Sequence, residues 1–190
     1  MSLFFYGTLL DEDVRRLVLG LSRAERLELC PARLYGFRRV QASVGDYPIL
    51  KPQPGAAVDG AIAFDRYAWT DGESVRALDR AALARIAHFE GDEYMLRKRP
   101  VWLGDRDWTE AWIFLPTHAR YVTRRRWDLE RWQRRSKPGL MPYFAWLMRQ
   151  PTIAQIGAAD VPWRLRRRSR QVAEKINVPV PQAERKKAAE

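Results

Sequence analysis

The chain has 190 residues, of which 46% are hydrophobic, so its composition excludes a wholly disordered protein. The single cysteine excludes an internal disulfide, and no run of about 20 apolar residues is present to span a membrane. The net charge of +11 is unevenly placed, because residues 117–190 hold 18 Lys and Arg against 6 Asp and Glu, while residues 1–116 hold 16 against 17. The basic character therefore indicates nothing about partners of the first 116 residues. With one cysteine and no basic region before the first apolar residues, we expect a cytoplasmic protein.

The first 116 residues predict more strands than helices. Apolar runs and alternating patterns predict strands at Leu3–Tyr6, Ala32–Val40 with a bulge at Gly36, Val58–Phe64, Leu96–Leu103 and Trp108–Leu115. One helix is predicted between a cap at Asp11 and a stop at Gly20, and another between a cap at Ser74 and Phe89. A turn at 45–48 is followed by a loop that Pro52 and Pro54 prolong.

This order predicts an α+β fold built on a small mixed or antiparallel β-barrel with flanking helices. Beyond Pro116 the pattern is helical. Arg124–Arg135 is predicted to form an amphipathic helix that packs Trp127 and Trp132 on the core, and a second apolar stretch covers Leu140–Met148. We therefore expect one domain over residues 1–150 and a basic, helical or disordered C-terminal extension over residues 151–190.

Several kinds of catalytic site have no support in the sequence. The two histidines and one cysteine cannot supply the usual zinc ligand set, and no nucleophile elbow, dinucleotide fingerprint or phosphate loop is present. His88 is expected on the exposed side of its helix, His118 on the surface and Cys30 in packing. We expect neither a metal nor a cofactor, and any chemistry must use carboxylates and backbone groups.

Three segments together carry a family resemblance. The first is Phe5–Leu9, a strand that ends in a turn containing glycine, and the second is Tyr47-Pro48, followed after a loop by Val58–Ile62. The third is Phe89–Arg97, where Phe-Glu-Gly at a helix end leads into a strand. In order and spacing these segments resemble the γ-glutamylcyclotransferase-like family, in particular its AIG2-like and γ-glutamylamine cyclotransferase branch. Members often carry Leu-Asp shortly before the glutamate, where this sequence has Ile86-Ala87.

The resemblance implies a cofactor-free reaction of the transferase or lyase type. The α-amine of a γ-glutamyl amide attacks its own side-chain carbonyl, 5-oxoproline closes and an amine leaves. Glu90 is implied as the general acid/base, and a substrate-binding turn is implied at Tyr6, Gly7, Thr8 and Leu9. Tyr94 either contacts the ligand or only begins the next strand. Glu93 is expected to be dispensable for the chemistry.

The local sequence around Glu90 also allows a plain alternative, a surface glutamate at a helix end. A glutamate at the C-terminus of a helix opposes the helix dipole, so the position is mildly unfavourable unless it serves another purpose. The resemblance favours the catalytic interpretation.

Two other functions remain open at this stage. The first is a non-catalytic module that binds a small ligand in the same barrel. The second is a protein that binds RNA or another anionic surface weakly through its basic C-terminal residues, Arg164, Arg166, Arg167, Arg168 and Arg170. If Glu90 and the Tyr6–Leu9 turn line one pocket, the enzyme is favoured over the non-catalytic module.

Overall fold

The computed structural model describes residues 2–65, 69–70, 73–74, 78–91, 93–104 and 107–150. The strands are β1 (Leu3–Phe5), β2 (Leu27–Ala42), β3 (Pro48–Asp65), β4 (Trp69–Thr70), β5 (Glu73–Ser74), β6 (Tyr94–Gly104), β7 (Asp107–Pro116) and β8 (Val122–Arg126). The helices are α1 (Glu12–Leu19), α2 (Leu21–Arg26), α3 (Arg80–Glu90), α4 (Leu129–Arg135) and α5 (Lys137–Arg149). Two short 3₁₀ turns lie at Thr8–Leu10 and Ala119–Tyr121.

Five strands close into a barrel in the order β3-β1-β7-β6-β2, and the circle is completed by pairing of β2 with β3. The pair β1–β7 is parallel and the other neighbouring pairs are antiparallel, so the predicted mixed barrel is confirmed. β8 adds to β2 outside the closed circle. The extension at residues 151–190, with the five arginines predicted to meet an anionic partner, lies outside the described residues.

Side chains alternate between two hydrophobic clusters along β1. Phe4 and Tyr6 belong to a cluster contributed by the barrel strands alone, which fills the barrel interior. Leu3 and Phe5 belong to a second cluster that the strands share with the helices. β1 therefore lies between the barrel interior and the helical layer, and the turn that follows it emerges where the two meet.

Local signals located several elements correctly. The Asp11 side chain accepts a hydrogen bond from the Val14 N–H and caps α1, which ends at Gly20. The predicted bulge is present, because the register between β2 and β3 shifts around Gly36. Cys30 packs against the cluster inside the barrel, and His118 is exposed.

Four predictions of local structure were wrong. α3 begins at Arg80 rather than after Ser74, because Asp79 accepts a hydrogen bond from the Ala82 N–H and caps the helix, while Ser74 lies in β5. β3 continues through the prolines at 52 and 54. The pairing of β3 with β2 skips from Ala57 to Pro52, so residues 53–56 lie outside the hydrogen-bonded ladder. A proline is tolerated there, because it has no N–H to donate to the ladder.

The other two errors concern residues 122–126 and His88. Residues 122–126 form β8 instead of the start of a helix, and α4 begins after Asp128, whose side chain accepts from the Arg131 N–H. Trp127 and Trp132 are nonetheless buried, as predicted. His88 is 7% exposed rather than on the solvent side, because α5 packs over α3 and the Leu147 carbonyl lies 3.1 Å from the His88 Nε2. Among the described residues, no helix has both the length and the apolar character needed to cross a membrane.

Candidate active site

The turn after β1 is held in place by a partly buried arginine. The Arg39 Nη1 donates a hydrogen bond of 2.7 Å to the Tyr6 carbonyl, and its guanidinium lies 5.3 Å from the centre of the Trp127 ring. Since the peptide is trans, the Gly7 N–H points away from the carbonyl that Arg39 binds. Gly7 precedes the 3₁₀ turn at Thr8–Leu10, whose first N–H groups have no partner within the turn. The turn therefore presents backbone donors suited to an anion.

Gly7 is required by close packing as well. A Cβ atom at this position would lie 2.3 Å from the Pro48 Cγ, far inside van der Waals contact. The Pro48 carbonyl in turn accepts a hydrogen bond of 2.6 Å from the Tyr94 hydroxyl. Two of the segments that carried the family resemblance, the Tyr6–Leu9 turn and the Tyr47-Pro48 pair, therefore meet in space.

Glu90 is the last residue of α3. Gly91 follows with φ of 71°, in the left-handed region that glycine adopts readily, and its N–H donates to the Ala87 carbonyl. This cap turns the chain from the end of α3 towards β6. The preceding Phe89 ring packs edge-on against Phe144 of α5, with ring centroids 5.0 Å apart.

A cavity of about 180 Å³ lies where the end of α3 meets the turn after β1. It is lined by every site residue predicted from the sequence, namely Tyr6, Gly7, Thr8, Leu9, Glu90 and Tyr94. The condition set for favouring an enzyme over a non-catalytic module is met, because Glu90 and the whole turn border one space.

The two buried tyrosines use their hydroxyls to hold the cavity walls. The Tyr6 hydroxyl donates to the Phe114 carbonyl at 2.6 Å, and the Tyr94 hydroxyl binds Pro48 as described. Burial, then the charge of Glu90, raises the pKa of Tyr6 well above its ordinary value, and burial is also the main reason that the pKa of Tyr94 is raised. Both hydroxyls therefore stay protonated as donors. Tyr94 both begins β6 and lines the cavity, and its contact with a ligand stays a prediction.

A second carboxylate borders the cavity. Glu93 lines it together with Tyr47, and the pKa of Tyr47 is raised to about 12, chiefly by burial and next by the charge of Glu93. The lining formed by the described residues contains Glu90 and Glu93 but no lysine or arginine. The dispensability of Glu93 stays a prediction, and its place in the cavity makes it unsuitable as a neutral control for Glu90.

Sequence reasoning missed the wall that α5 contributes. Tyr143, Phe144 and Leu147 all line the cavity. Phe144, Leu147 and Met148 are buried at the helical spacing i, i+3 and i+4, a pattern that predicts a packed face but not the cavity beside it.

α5 is anchored at its first residue. The Lys137 Nζ lies 2.7 Å from the Asp11 Oδ2 and 2.6 Å from the Asp13 Oδ2, and the Gln133 Nε2 donates to Asp11 at 2.8 Å. Burial alone raises the pKa of Asp11. The hydrogen bonds from Lys137, Gln133 and the Val14 N–H, with the charge of Lys137, outweigh it and lower the pKa below its ordinary value.

A sequence profile of the family described as gamma-glutamyl cyclotransferase, AIG2-like, matches residues 3–134. The chain belongs to this family. The matched range contains β1, the turn and Glu90 but stops before α5. Within the described residues, no cluster of three or more His, Cys, Asp or Glu is placed to hold a metal ion.

Comparison with solved structures finds two solution structures from Arabidopsis thaliana. One is 20% identical with a TM-score of 0.49 over 75% of this chain and 87% of that chain, and the other is 18% identical with a TM-score of 0.49 over 83% and 90%. A structure named gamma-glutamyl cyclotransferase is 18% identical, with a TM-score of 0.45 over 64% of this chain and 68% of that chain. A comparison with curated proteins found no significant match.

Proposed function

We propose that this protein converts a γ-glutamyl amide into 5-oxoproline and a free amine, with Glu90 as the general acid/base. The observation that carries the proposal is that Glu90 and the Tyr6–Leu9 turn line the same cavity. Membership of the gamma-glutamyl cyclotransferase, AIG2-like family supports the reaction class.

The chemistry requires proton transfer but no enzyme nucleophile. The α-nitrogen of the substrate gives a proton to the Glu90 carboxylate and attacks the γ-carbonyl carbon, forming the ring C–N bond. The tetrahedral intermediate collapses, and the bond from this carbon to the leaving nitrogen breaks. Glu90 carries two protons in succession from the α-nitrogen to the leaving nitrogen, which departs as an ammonium while the carboxylate is regenerated. General acid/base catalysis of this kind contributes about 10²–10⁴-fold.

The rest of the cavity serves orientation and charge. Because attacking and attacked groups belong to one molecule, holding the substrate folded is worth more than binding a second reactant. The N–H groups of Gly7 and Thr8 are suited to the oxyanion or to the substrate carboxylate, and Arg39 fixes the Tyr6–Gly7 peptide that carries the first of them. Tyr6 and Tyr94 keep the walls at a fixed distance through their hydrogen bonds to Phe114 and Pro48.

We also propose that the reaction needs no metal. The whole sequence has two histidines and one cysteine, which supports chemistry by a carboxylate and backbone donors.

The test is Glu90→Gln, which keeps the shape of the side chain but cannot carry the proton. Release of 5-oxoproline from a panel of γ-glutamyl amides should fall by at least about 10²-fold, while thermal unfolding changes little. The matched control is Glu130→Gln on α4, an exposed glutamate beside Arg134, which should keep full activity. Undiminished turnover by Glu90→Gln would refute the role of Glu90. Tight binding of the amides by the wild type without 5-oxoproline release would favour the non-catalytic module.

A further inference from the structure

The cavity has two walls of different chemistry. One wall consists of the Tyr6–Leu9 turn and the end of α3, with backbone donors and the Glu90 carboxylate. The second wall is aromatic and aliphatic, and it is formed by Tyr143, Phe144 and Leu147 of α5. Every γ-glutamyl amide shares the same charged glutamyl part, which requires the polar wall. The apolar wall is left for the part of the substrate that varies, the leaving amine.

The apolar wall is preformed. Lys137 anchors the start of α5 to Asp11 and Asp13 of the first helix, and further along α5 the Leu147 carbonyl contacts the His88 ring of α3. Between these points Phe144 packs on Phe89. A wall fixed along its length binds a ligand without the cost of ordering it first.

The wall also runs from the interior to the mouth of the cavity. Phe144 and Leu147 are buried, as are Tyr6 and Tyr94 on the other wall, whereas Tyr143 is 53% exposed and Tyr47 is half-buried. The part of the cavity lining that α5 contributes therefore extends from buried side chains to the exposed side chain of Tyr143.

On the basis of the proposed function, we propose that α5 forms the leaving-group subsite and selects an amine that carries a flat apolar group, such as an arylalkyl amine. Aromatic rings gain from edge-on and offset contacts with Tyr143 and Phe144 beyond the area they bury. Binding of an amine that carries a carboxylate is disfavoured. Among the described residues the lining contains the carboxylates of Glu90 and Glu93 and no cationic side chain that could pair with it. α5 lies outside the residues 3–134 that the family model matches, so the match does not bear on this selectivity.

The experiment measures binding separately from turnover. The affinities of γ-glutamyl benzylamide and γ-glutamyl methylamide are measured by calorimetry with the Glu90→Gln protein, in which the proposed reaction is blocked. The benzylamide should bind at least about tenfold more tightly. As a second measurement that does not depend on this variant, free benzylamine should bind the wild type more tightly than methylamine by a similar factor.

Two variants on one helix locate the subsite. Tyr143→Ala should lower the ratio of benzylamide affinity to methylamide affinity by roughly threefold or more, which corresponds to the loss of one aromatic contact. Trp146→Ala is the matched control, since Trp146 is 52% exposed and stacks on Tyr143 but does not line the cavity. Thermal unfolding of both variants checks that α5 stays folded.

The outcomes separate the two proposals. Equal affinities for the two amides, or equal effects of the two variants on the ratio, would overturn the α5 subsite whether or not the wild type releases 5-oxoproline. A preference for the benzylamide that depends on Tyr143, found with a wild type that turns over no γ-glutamyl amide, would support the subsite and overturn the cyclotransferase.

Discussion

Replacing Gly7 with alanine adds one methyl group at the point where the Tyr6–Leu9 turn meets β3. The new Cβ atom would lie 2.3 Å from the Pro48 Cγ, whereas ordinary contact begins at 3.4 Å, so the turn and Pro48 must separate by more than about 1 Å. The proline ring cannot rotate away, because it is closed on its own backbone nitrogen, and the Tyr94 hydroxyl holds the Pro48 carbonyl. The displacement therefore falls on the Gly7 and Thr8 N–H groups.

The displacement predicts two effects of different size. Overpacking of this kind costs about 1–3 kcal/mol of unfolding free energy, which leaves the protein folded if its stability is typical. Misplacement of a positioning group by about 1 Å can cost around 10²-fold in rate. We expect kcat/KM of Gly7→Ala for 5-oxoproline release to fall by about that factor while urea unfolding shows only the smaller loss.

Gly139→Ala is the matched control, because no atom lies within 4 Å of a Cβ built at this position in α5. Alanine is the better helix former, so this variant should be more stable than the wild type by up to about 1 kcal/mol and fully active. Wild-type activity and stability of Gly7→Ala would refute the close packing at Pro48. A rate loss no larger than the loss of folded protein explains would refute the role of the turn in positioning.

Three further results are expected. Asp11→Asn should destabilise the protein and flatten the dependence of its stability on acid pH. Because the pKa of Asp11 is lowered on folding, its ionised carboxylate stabilises the folded wild type. This stabilisation is complete above about pH 4, the ordinary pKa range of an aspartate, and is lost as the pH falls through the lowered pKa. Thermal melts at pH 7 and pH 3 would detect the difference between wild type and variant. Exhaustive chelation should leave 5-oxoproline release unchanged, and loss of activity with rescue by zinc would contradict this. Removal of residues 162–190 should leave the melting temperature nearly unchanged, because this segment is basic and poor in core-type residues, and a marked drop would show that it packs on the domain.

Sequence reasoning succeeded where the determinant is local. The cap at Asp11, the stop at Gly20 and the bulge at Gly36 depend on hydrogen bonds or backbone geometry within a few residues, and each was found as predicted. Sequence reasoning failed where a distant element determines the secondary structure or the burial of a residue. Residues 122–126 are basic and looked helical, but they pair with the edge of β2, and His88 is buried only because α5 covers it.

The candidate site shows the same difference between local and distant determinants. Glu90 and the Tyr6–Leu9 turn lie more than 80 positions apart, yet a resemblance in segment order was enough to predict that they belong together. Tyr143 and Phe144 were not predicted because their only local signal, an apolar helical stripe, is common to any packed helix. Their place in the cavity depends on the anchor between Lys137 and Asp11, a contact across 126 positions.

The proposed reaction and its proposed specificity depend on different parts of the chain. The residues proposed for proton transfer and for positioning the glutamyl part lie within residues 3–134, so the family match bears on the reaction class. The wall proposed to select the amine lies on α5, beyond that range, and is held there by Asp11 from within it. A relative could therefore keep Glu90 and the turn while changing the amine it releases, simply by changing the helix that Asp11 anchors.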